Sequence, residues 1–438
     1  MPSIVILGAG LTGISAAYHL EQLGYDDYAI FEKETTVGGL CRSLRRDGFT
    51  FDLTGHLLHL NNDYVRTLVD QTVDKSLFAT VNRRSAIYSY DRYTQYPYQI
   101  NLYGLPIDVI VACIEGFVQR PSAATTPTMF TDWVMSSFGA GLARHFFFPY
   151  QEKIFDLPVN ELSASWTGRF VPATSLPEML RGALAPSQEA IGYNAQFFYP
   201  TKGGIDRWVD GFAAHIKKPI NTGHEVVAID GKNKRVIFAN GIEEPYEQLI
   251  STLPLDLLLN YLSEGAHTNL RSARAHLRCA RVINLNIGIR RPELAPYHWS
   301  YYPEGQFPFY RIGFPSQLVP AMAPAGHSSI SAEISLLNRS PQEREAKIAT
   351  ARQAIHKLFA LNEHEIATEV IIDIPHGYVI FDRWRDDHLP QLLADVTTHY
   401  QIQSIGRYGA WKYASMQEAI LDGQAGAQKA LQSCGVAC

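Results

Sequence analysis

The stretch ILGAGLTGISAAYHL, residues 6–20, decides the fold. It reads as the end of a short apolar strand, a glycine turn and the start of a helix. The strand is predicted over Ser3–Leu7 and runs into Gly8-Ala9-Gly10-Leu11-Thr12-Gly13. Ala16, Ala17 and Leu20 then supply the small-residue face of a helix that Gly24 ends. In a dinucleotide-binding turn these glycines have separate duties. Gly8 permits the tight turn, Gly10 lets the backbone approach a pyrophosphate, and Gly13 lets helix and strand pack closely, so that the helix N-terminus meets phosphate charge. A second predicted strand, Tyr28–Phe31, delivers Glu32, 19 residues past Gly13. A carboxylate there can accept both ribose hydroxyls of an adenosine. A lone GxGxxG says little, but strand, turn, helix, second strand and acid together specify a dinucleotide site.

The rest of the chain bounds what that site can serve. With 438 residues it can bury a large core, and two or three lobes are expected. At 46% hydrophobic and 18% charged residues, with a formal net charge of −5, it lacks the basic field that nucleic acid requires. The first strand is predicted from residue 3, so no signal or transit peptide is expected ahead of it. The longest apolar run, Leu105–Val118, contains Asp108 and Glu115 and is too short to span a bilayer, so a cytoplasmic protein without a membrane span is expected. Cys41, Cys113, Cys279, Cys434 and Cys438 are scattered and suggest neither a disulfide framework nor a zinc site. His56 and His59, in GHLLH, could meet on a helical turn. No third ligand is near in sequence, so one is expected to line a pocket and the other to pack, with no metal bound.

Soon after Glu32 comes VGGLCRS, with Gly38-Gly39 and Arg42. A second bare stretch of backbone is useful to FAD, whose pyrophosphate and ribityl chain run past a further loop, whereas NAD sites have no general need of it. Downstream, HEVVAIDGKNKRVIFANGIEEPYEQLISTLP predicts a hairpin turning at Gly231-Lys232-Asn233, a glycine turn at Gly241 and a buried strand Gln248–Thr252. These features resemble the flavoprotein superfamily of amine oxidases, protoporphyrinogen oxidases, phytoene desaturases and UDP-galactopyranose mutases. No second dinucleotide fingerprint appears. Gly139-Ala140-Gly141 lacks the third glycine and a preceding strand, and is expected to open a turn. An external reductant such as NAD(P)H would have to dock without a Rossmann domain of its own.

SAIYSYDRYTQYPYQI, residues 85–100, alternates like sheet strands, and 103–190 reads as mostly helical. Further strands are predicted over 280–335, then a helix near 341–360 and another ending the tail. The expected fold class is α/β. A Rossmann-type FAD-binding domain would be built from the discontinuous segments 1–80, 195–265 and 396–438. A mainly helical lobe would span 102–190, and an antiparallel-sheet substrate lobe 81–101 and 266–395.

Several stretches along nearly the whole chain resemble the UDP-galactopyranose mutases, the eukaryotic type in particular. FDLTGHLLHL resembles the segment that lies against the flavin ring and so points to Gly55 and His56. YPYQINL resembles the uracil-receiving segment, with Tyr96 and Gln99. FPYQEKIFDLPVNELSASWTGR carries Gln151 and leads to a diphosphate-binding arginine, Arg169. GYNAQFFYPTKGG places Asn194 at a sugar contact. HWSYYPEGQFPFYR supplies Trp299, Tyr301 and a second diphosphate arginine, Arg311. GRYGAWKYASM brings Arg407 toward the FAD and Tyr413 toward the substrate phosphates. The resemblance also implies FAD contacts at Leu11, Thr12, Lys33, Gly39, Leu40, Arg42, Val226 and Met416, and a substrate contact at Tyr378. It implies a redox-neutral exchange of pyranose and furanose forms of a UDP-sugar, UDP-galactose foremost, through an adduct of reduced flavin N5. His56, Arg169 and Arg311 would be the catalytic side chains.

The residue types suit that chemistry on their own terms. Guanidinium forks match adjacent phosphate charges, tyrosine hydroxyls are neutral donors, and a glutamine can pair with a uracil edge. Three positions depart from the mutase pattern: Thr54 stands for a glycine, Gln151 for an asparagine, and Ser415 for the aspartate of the shorter bacterial form. Two other readings therefore stay open. One is an FAD oxidoreductase of the amine oxidase or desaturase type, and the other a nucleotide-sugar protein with a different sugar or no turnover.

Overall fold

The computed structural model describes residues 3–122, 126–168, 171–186, 195–262 and 268–436. Its organising element is a five-stranded parallel sheet in the order Ile402–Ser404, Gln248–Ser251, Ile4–Leu7, Tyr28–Phe31, Ile220–Asn221. Three stretches of chain far apart in sequence thus meet edge to edge. The first strand is apolar throughout because both of its faces are covered, as a parallel sheet requires. Alternate residues serve the two faces. Ile4 and Ile6 pack with the helices Leu11–Gln22 and Met416–Ser433. Val5 and Leu7 pack with the three-stranded sheet Val226–Asp230, Arg235–Phe238, Glu243–Pro245 and with the helix Leu255–Tyr261.

Those two helices cross closely because small residues line the contact. A Cβ on Gly423 would lie 2.5 Å from both Ser15 Cβ and Thr12 O. Gly13 works the same way toward the strand, where a Cβ would fall 1.9 Å from Gly8 O.

A seven-stranded sheet lies beyond, in the order Ile366–Val379, Cys279–Ile289, Ser328–Leu336, Arg311–Gly313, Trp299–Tyr301, Ser85–Ser89, Arg92–Gln95. Its pairs are antiparallel except for Trp299–Tyr301 with Ser85–Ser89, which run parallel. Ile283, Leu285, Ile287 and Ile289 turn one face of the long Cys279–Ile289 strand toward the helix Pro341–Leu358. The other face carries Asn284 and meets the 49–55 segment, where Asn284 Nδ2 donates to Leu53 O at 2.8 Å.

The third body is helical: Ile107–Val118, Phe130–Leu142, Phe148–Phe155 and Leu176–Leu184, with a π-helical stretch Ala143–Phe147 leading into the third helix. π-helical turns are frequent at functional sites, and this one is followed by Tyr150 and Gln151.

Two local expectations are corrected. Gly139-Ala140-Gly141 does not open a turn; it kinks the helix Phe130–Leu142, with Gly139 at φ 78°. A Cβ on Gly139 would meet Gly116 O at 1.9 Å, so the bare backbone exists for a close helix crossing. The YPYQI part of the aromatic run is not strand; the ladder ends at Gln95, before Pro97, which has no N–H to donate. GHLLH is irregular rather than helical, so His56 and His59 do not share a helix face. Among the described residues, no helix is long and apolar enough to cross a membrane.

Gly423→Val forces a branched side chain into the crossing of the helices Leu11–Gln22 and Met416–Ser433. It should lower stability by about 1–3 kcal/mol, read as a reduced urea midpoint at unchanged slope.

Candidate functional site

The sequence builds a cradle for a dinucleotide at the C-terminal end of the first strand. Gly8 adopts φ 94°, and a Cβ there would meet Thr252 Oγ1 at 2.3 Å. Gly10 caps the first helix without a side chain, and no acid occupies the first turn, so the free N–H groups at Leu11, Thr12 and Gly13 present partial positive charge. Gly38 bridges to Gly10, and Gly39 at φ 58° faces it so closely that a Cβ would come within 3.1 Å of Gly10 Cα. The result is a channel walled by bare backbone. Arg42 braces the second wall, donating from Nε to Gly39 O at 2.7 Å, and Leu40 lies half-buried between them.

Glu32 is buried, and its carboxylate accepts from Ala9 N at 2.7 Å and Glu34 N at 3.0 Å. Each oxygen keeps lone pairs for a further donor. His224 N–H donates to Glu32 O at 2.8 Å, which brings the Val226 strand alongside, and Val226 itself is buried against Phe31 and Phe238. Lys33 stands mostly in water beside Glu34. This donor set, a phosphate channel followed by a ribose-side carboxylate, fits FAD.

The segment after Phe49–Asp52 joins cradle and large sheet. Asp52 accepts from Ser43 Oγ at 2.7 Å, from Ile205 N at 3.1 Å, and from Tyr199 Oη. On the far side, Asn284 holds Leu53 O, and Gly55 N–H points at Glu333 Oε1, 3.5 Å away. His56 Nδ1 lies 3.1 Å from Thr54 O and 3.3 Å from Thr54 Oγ1. Burial pushes the imidazole down to about 4, against the pull of the Thr54 carbonyl and helped by Arg407. The ring is therefore neutral at pH 7, with Nδ1–H donated to Thr54 O and Nε2 left as an acceptor. Burial pushes the Asp52 carboxyl the other way, up to about 6, despite its three donors. Both residues, with Trp299, Arg311 and Glu333, line a cavity of about 70 Å³.

Around that cavity opens a cleft walled by tyrosines and guanidinium groups. Arg311 and Glu333 are directly opposite on neighbouring strands, and Arg311 Nη2 donates to both carboxylate oxygens at 2.6 and 2.8 Å. Tyr310 donates to the same carboxylate. Burial works against the Arg311 charge, but Glu333 and the oxygens of Tyr378, Tyr310 and Tyr301 outweigh it. Tyr301 packs against Tyr96 at 5.3 Å and Tyr150 at 5.5 Å, and Arg83 covers the Tyr96 ring at 4.6 Å. Arg407 lies over Tyr413 at 4.7 Å and within 5.6 Å of Tyr378 and Tyr408. It donates to Ala414 O at 2.9 Å and Gly377 O at 3.3 Å, and among the described residues it has no carboxylate partner. Burial raises the hydroxyls of Tyr96, Tyr301 and Tyr378 above the ordinary tyrosine value, so all three are neutral donors.

The structure brings together most of the residues singled out from sequence: His56, Tyr96, Trp299, Tyr301, Arg311, Tyr378, Arg407 and Tyr413. Met416 is buried as the first residue of the last helix, just beyond the Arg407–Ala414 contact. Gln151 is buried on the same helix face as Phe155, whose ring packs on Tyr378 at 6.2 Å. Its Oε1 has no hydrogen-bond donor. Gln99 is not presented to the cleft. It is buried, and its amide N–H is spent on Pro172 O at 2.7 Å, because the chain folds back there after Pro97. Arg169 and Asn194 lie outside the described residues. His59 turns away, with Nδ1 against Gln196 O at 3.0 Å. No group of three metal-ligating side chains occurs among the described residues.

Sequence reasoning missed Glu333, Asp52 and Arg83. Glu333 left a readable signal, a single acid in SSISAEISL, a strand buried at every position. A fully buried carboxylate is rare unless paired.

Residues 11–431 match the flavin-containing amine oxidoreductase family. The chain belongs to that family. It is similar to a crystal structure of reduced UDP-galactopyranose mutase, with a TM-score of 0.92 and 27% identity, over 99% of this chain and 96% of that one. It is 20% identical over 292 residues to coproporphyrinogen III oxidase of Staphylococcus aureus (strain NCTC 8325 / PS 47), covering 60% of this chain and 62% of the oxidase. A 50-residue stretch, 11% of the chain, is 48% identical to a 4,4'-diapophytoene desaturase of Staphylococcus aureus (strain bovine RF122 / ET3-1), covering 10% of it. The chain thus spans less than two thirds of the length of either curated relative. The names of these proteins cover different chemistries: a mutase, an oxidase and a desaturase.

The two shifted groups make opposite demands on pH. Unfolded His56 binds a proton below 6.5 and folded His56 only below about 4, so its contribution to stability is full above 6.5 and is lost toward pH 4. Folded Asp52 holds its proton up to about pH 6 against 3.8 unfolded, so its contribution is full below 3.8 and is lost as pH rises through 6. The stability difference between wild type and His56→Gln should therefore grow from pH 4 to 6.5, by on the order of 3 kcal/mol, and then level off. Denaturant titrations across that range check this, and a difference falling with pH would contradict a neutral His56.

Proposed function

We propose that this protein is a flavin-dependent mutase that interconverts pyranose and furanose forms of a nucleotide diphosphate sugar, UDP-galactose foremost, without net redox change. One observation carries the reading: the cleft holds Arg311 and Arg407 with a single carboxylate between them, and Arg407 answered only by carbonyls and tyrosines. Positive charge withdrawn from water without a counter-ion calls for an anionic ligand. The bare-backbone channel at Gly10 and Gly39 already suits the pyrophosphate of FAD, so charge in the tyrosine cleft suits a second diphosphate, that of the substrate.

In this reading Arg311, fixed by Glu333, and Arg169 bind the diphosphate and take up the charge that develops as the C1–O bond to phosphate breaks. Tyr301, Tyr378 and Tyr413 supply neutral hydroxyls to the phosphate oxygens, and Tyr96, under Arg83, offers its ring to the base. Gln151 Oε1 accepts from a substrate N–H or O–H. His56, neutral and held by Thr54, presents Nε2 as an acceptor toward the flavin. Reduced flavin, held by the Gly8–Gly13 turn, Glu32 and the Gly38–Arg42 loop, would supply a nucleophile toward C1. Between start and finish the ring oxygen changes from O5 to O4 and the C1–O bond to phosphate is restored, so electrons balance without an external oxidant. NAD(P)H fits only as the reductant that keeps the flavin reduced.

Oxidation of an amine is the second reading, favoured by the family's name. The guanidinium groups oppose it, since a cationic substrate would meet like charge.

Dithionite-reduced, FAD-loaded protein incubated anaerobically with UDP-galactofuranose should yield UDP-galactopyranose, and oxidised protein should not. Oxygen consumption with an amine by oxidised enzyme, and no sugar conversion, would overturn the proposal. Arg311→Lys keeps one charge but loses the fork. It should lower kcat/KM about 10²-fold at unchanged flavin content.

A further inference from the structure

The strand Ile366–Val379 loses its regular pairing just before Tyr378, a wall of the cleft. Ala280 pairs with Tyr378 and Val282 with Ile374, so Arg281 alone faces Pro375, His376 and Gly377. Such a bulge re-aims the side chains around it and is common beside active sites. The residue types suit it. Pro375 has no N–H to leave unpaired, and a Cβ on Gly377 would lie 2.4 Å from Val282 Cγ2 and 3.0 Å from Ala280 O.

His376 is held from the cofactor-binding half. Its Nε2 lies 3.0 Å from each carboxylate oxygen of Asp256, in the first turn of the helix Leu255–Tyr261. A carboxylate only accepts, so Nε2 carries the hydrogen. That helix follows Thr252, whose Oγ1 donates to Leu7 O at 2.8 Å beside the dinucleotide turn. The pair thus joins the sheet of the cradle to the bulge. From the other side, the segment carrying Arg407 rests on the same two bulge residues. Gly377 O accepts from Arg407 Nη2 at 3.3 Å and from Tyr408 Oη at 3.2 Å. The His376 ring packs on Tyr408 at 6.1 Å and on Trp411 at 6.2 Å. Trp411 is wholly buried, and its carbonyl accepts from Arg385 Nε at 3.0 Å and Nη2 at 2.9 Å, which fixes the far end of the segment.

We propose that Asp256 and His376 are positioning residues for substrate binding: the pair sets the Gly377 carbonyl, and that carbonyl aims the Arg407 fork at the diphosphate. The proposal rests on the assignment of Arg407 to an anionic ligand made above. Arg311 has its carboxylate in direct contact. On Arg407 a carboxylate acts at one remove, through a histidine and a backbone carbonyl, and the charge of the guanidinium is left to the ligand.

Calorimetric titration of UDP into the FAD-loaded full chain tests it. His376→Leu fills the space without a donor and should raise the Kd for UDP about 10-fold at unchanged flavin content. His376→Gln can place an amide N–H near the position of Nε2 and should stay within about 3-fold of wild type. Asp256→Asn removes the charge at a partly exposed position, should show an intermediate loss, and replaces His376→Leu in the comparison if that variant loses its flavin. Arg407→Lys takes away the fork that Gly377 O aims, so in that background His376→Leu should add less than ~2-fold, whereas independent sites would multiply. A loss of full size in the Arg407→Lys background would make the pair merely structural and overturn the proposal. Wild-type affinity in both His376→Leu and Asp256→Asn, with affinity lost in Arg407→Lys, overturns this proposal alone. A wild type that does not bind UDP, or an Arg407→Lys variant that binds it as tightly as wild type, overturns the assignment of Arg407 to the diphosphate and this proposal with it.

Discussion

Positive charge taken out of water has to be answered by negative charge or by oriented dipoles. In the cleft, Arg311 is answered by Glu333, which is itself held by Tyr310 and approached by Gly55 N–H. Arg407 is answered only by two carbonyl groups and a ring of tyrosines. This asymmetry organises the rest. Glu333 fixes one guanidinium fork in place before any ligand arrives, and the other fork is left with capacity for an anion. The tyrosines serve both, since burial keeps their hydroxyls neutral and able to donate.

How much of this was legible in the sequence depended on how local the cause was. Gly8, Gly10, Gly13 and Glu32 could be read directly because turn, helix start and ribose-side acid lie within one βαβ unit. The parallel sheet was harder. Ile220–Asn221 is two residues long and Ile402–Ser404 three, too short for any periodic signal, and their place is set by pairing with strands more than 150 residues away. Glycines were ambiguous in the same way. Gly139 looked like a turn because its real cause, the carbonyl of Gly116 on a crossing helix, is invisible from its own neighbours.

In the cleft, residue type carried the reading further than pattern did. Arg311, Tyr378 and Arg407 were chosen from family resemblance, and the fold gathers them from three separate segments. Gln99 was chosen on the same grounds, but its amide is committed to Pro172. Side-chain direction depends on packing partners, which similarity of a short segment does not contain. Asp52 escaped notice because FDLTG has no distinguishing feature; its three donors come from residues 43, 199 and 205.

The segment from Asp52 to Gly55 has a consequence for how this architecture can vary. Its first residue is anchored in the cofactor-binding half through Ser43, Tyr199 and the start of the helix Asp206–Ala213. Within the next three residues its backbone passes to the large sheet, with Leu53 O held by Asn284 and Gly55 N–H pointing at Glu333. Neither half is therefore a module that recombination could lift out whole. A graft of a new substrate sheet onto this cofactor fold would have to carry the 52–55 stretch and its attachments on both sides. In this arrangement, diversity of chemistry is reached by changing side chains within the cleft more readily than by exchanging domains.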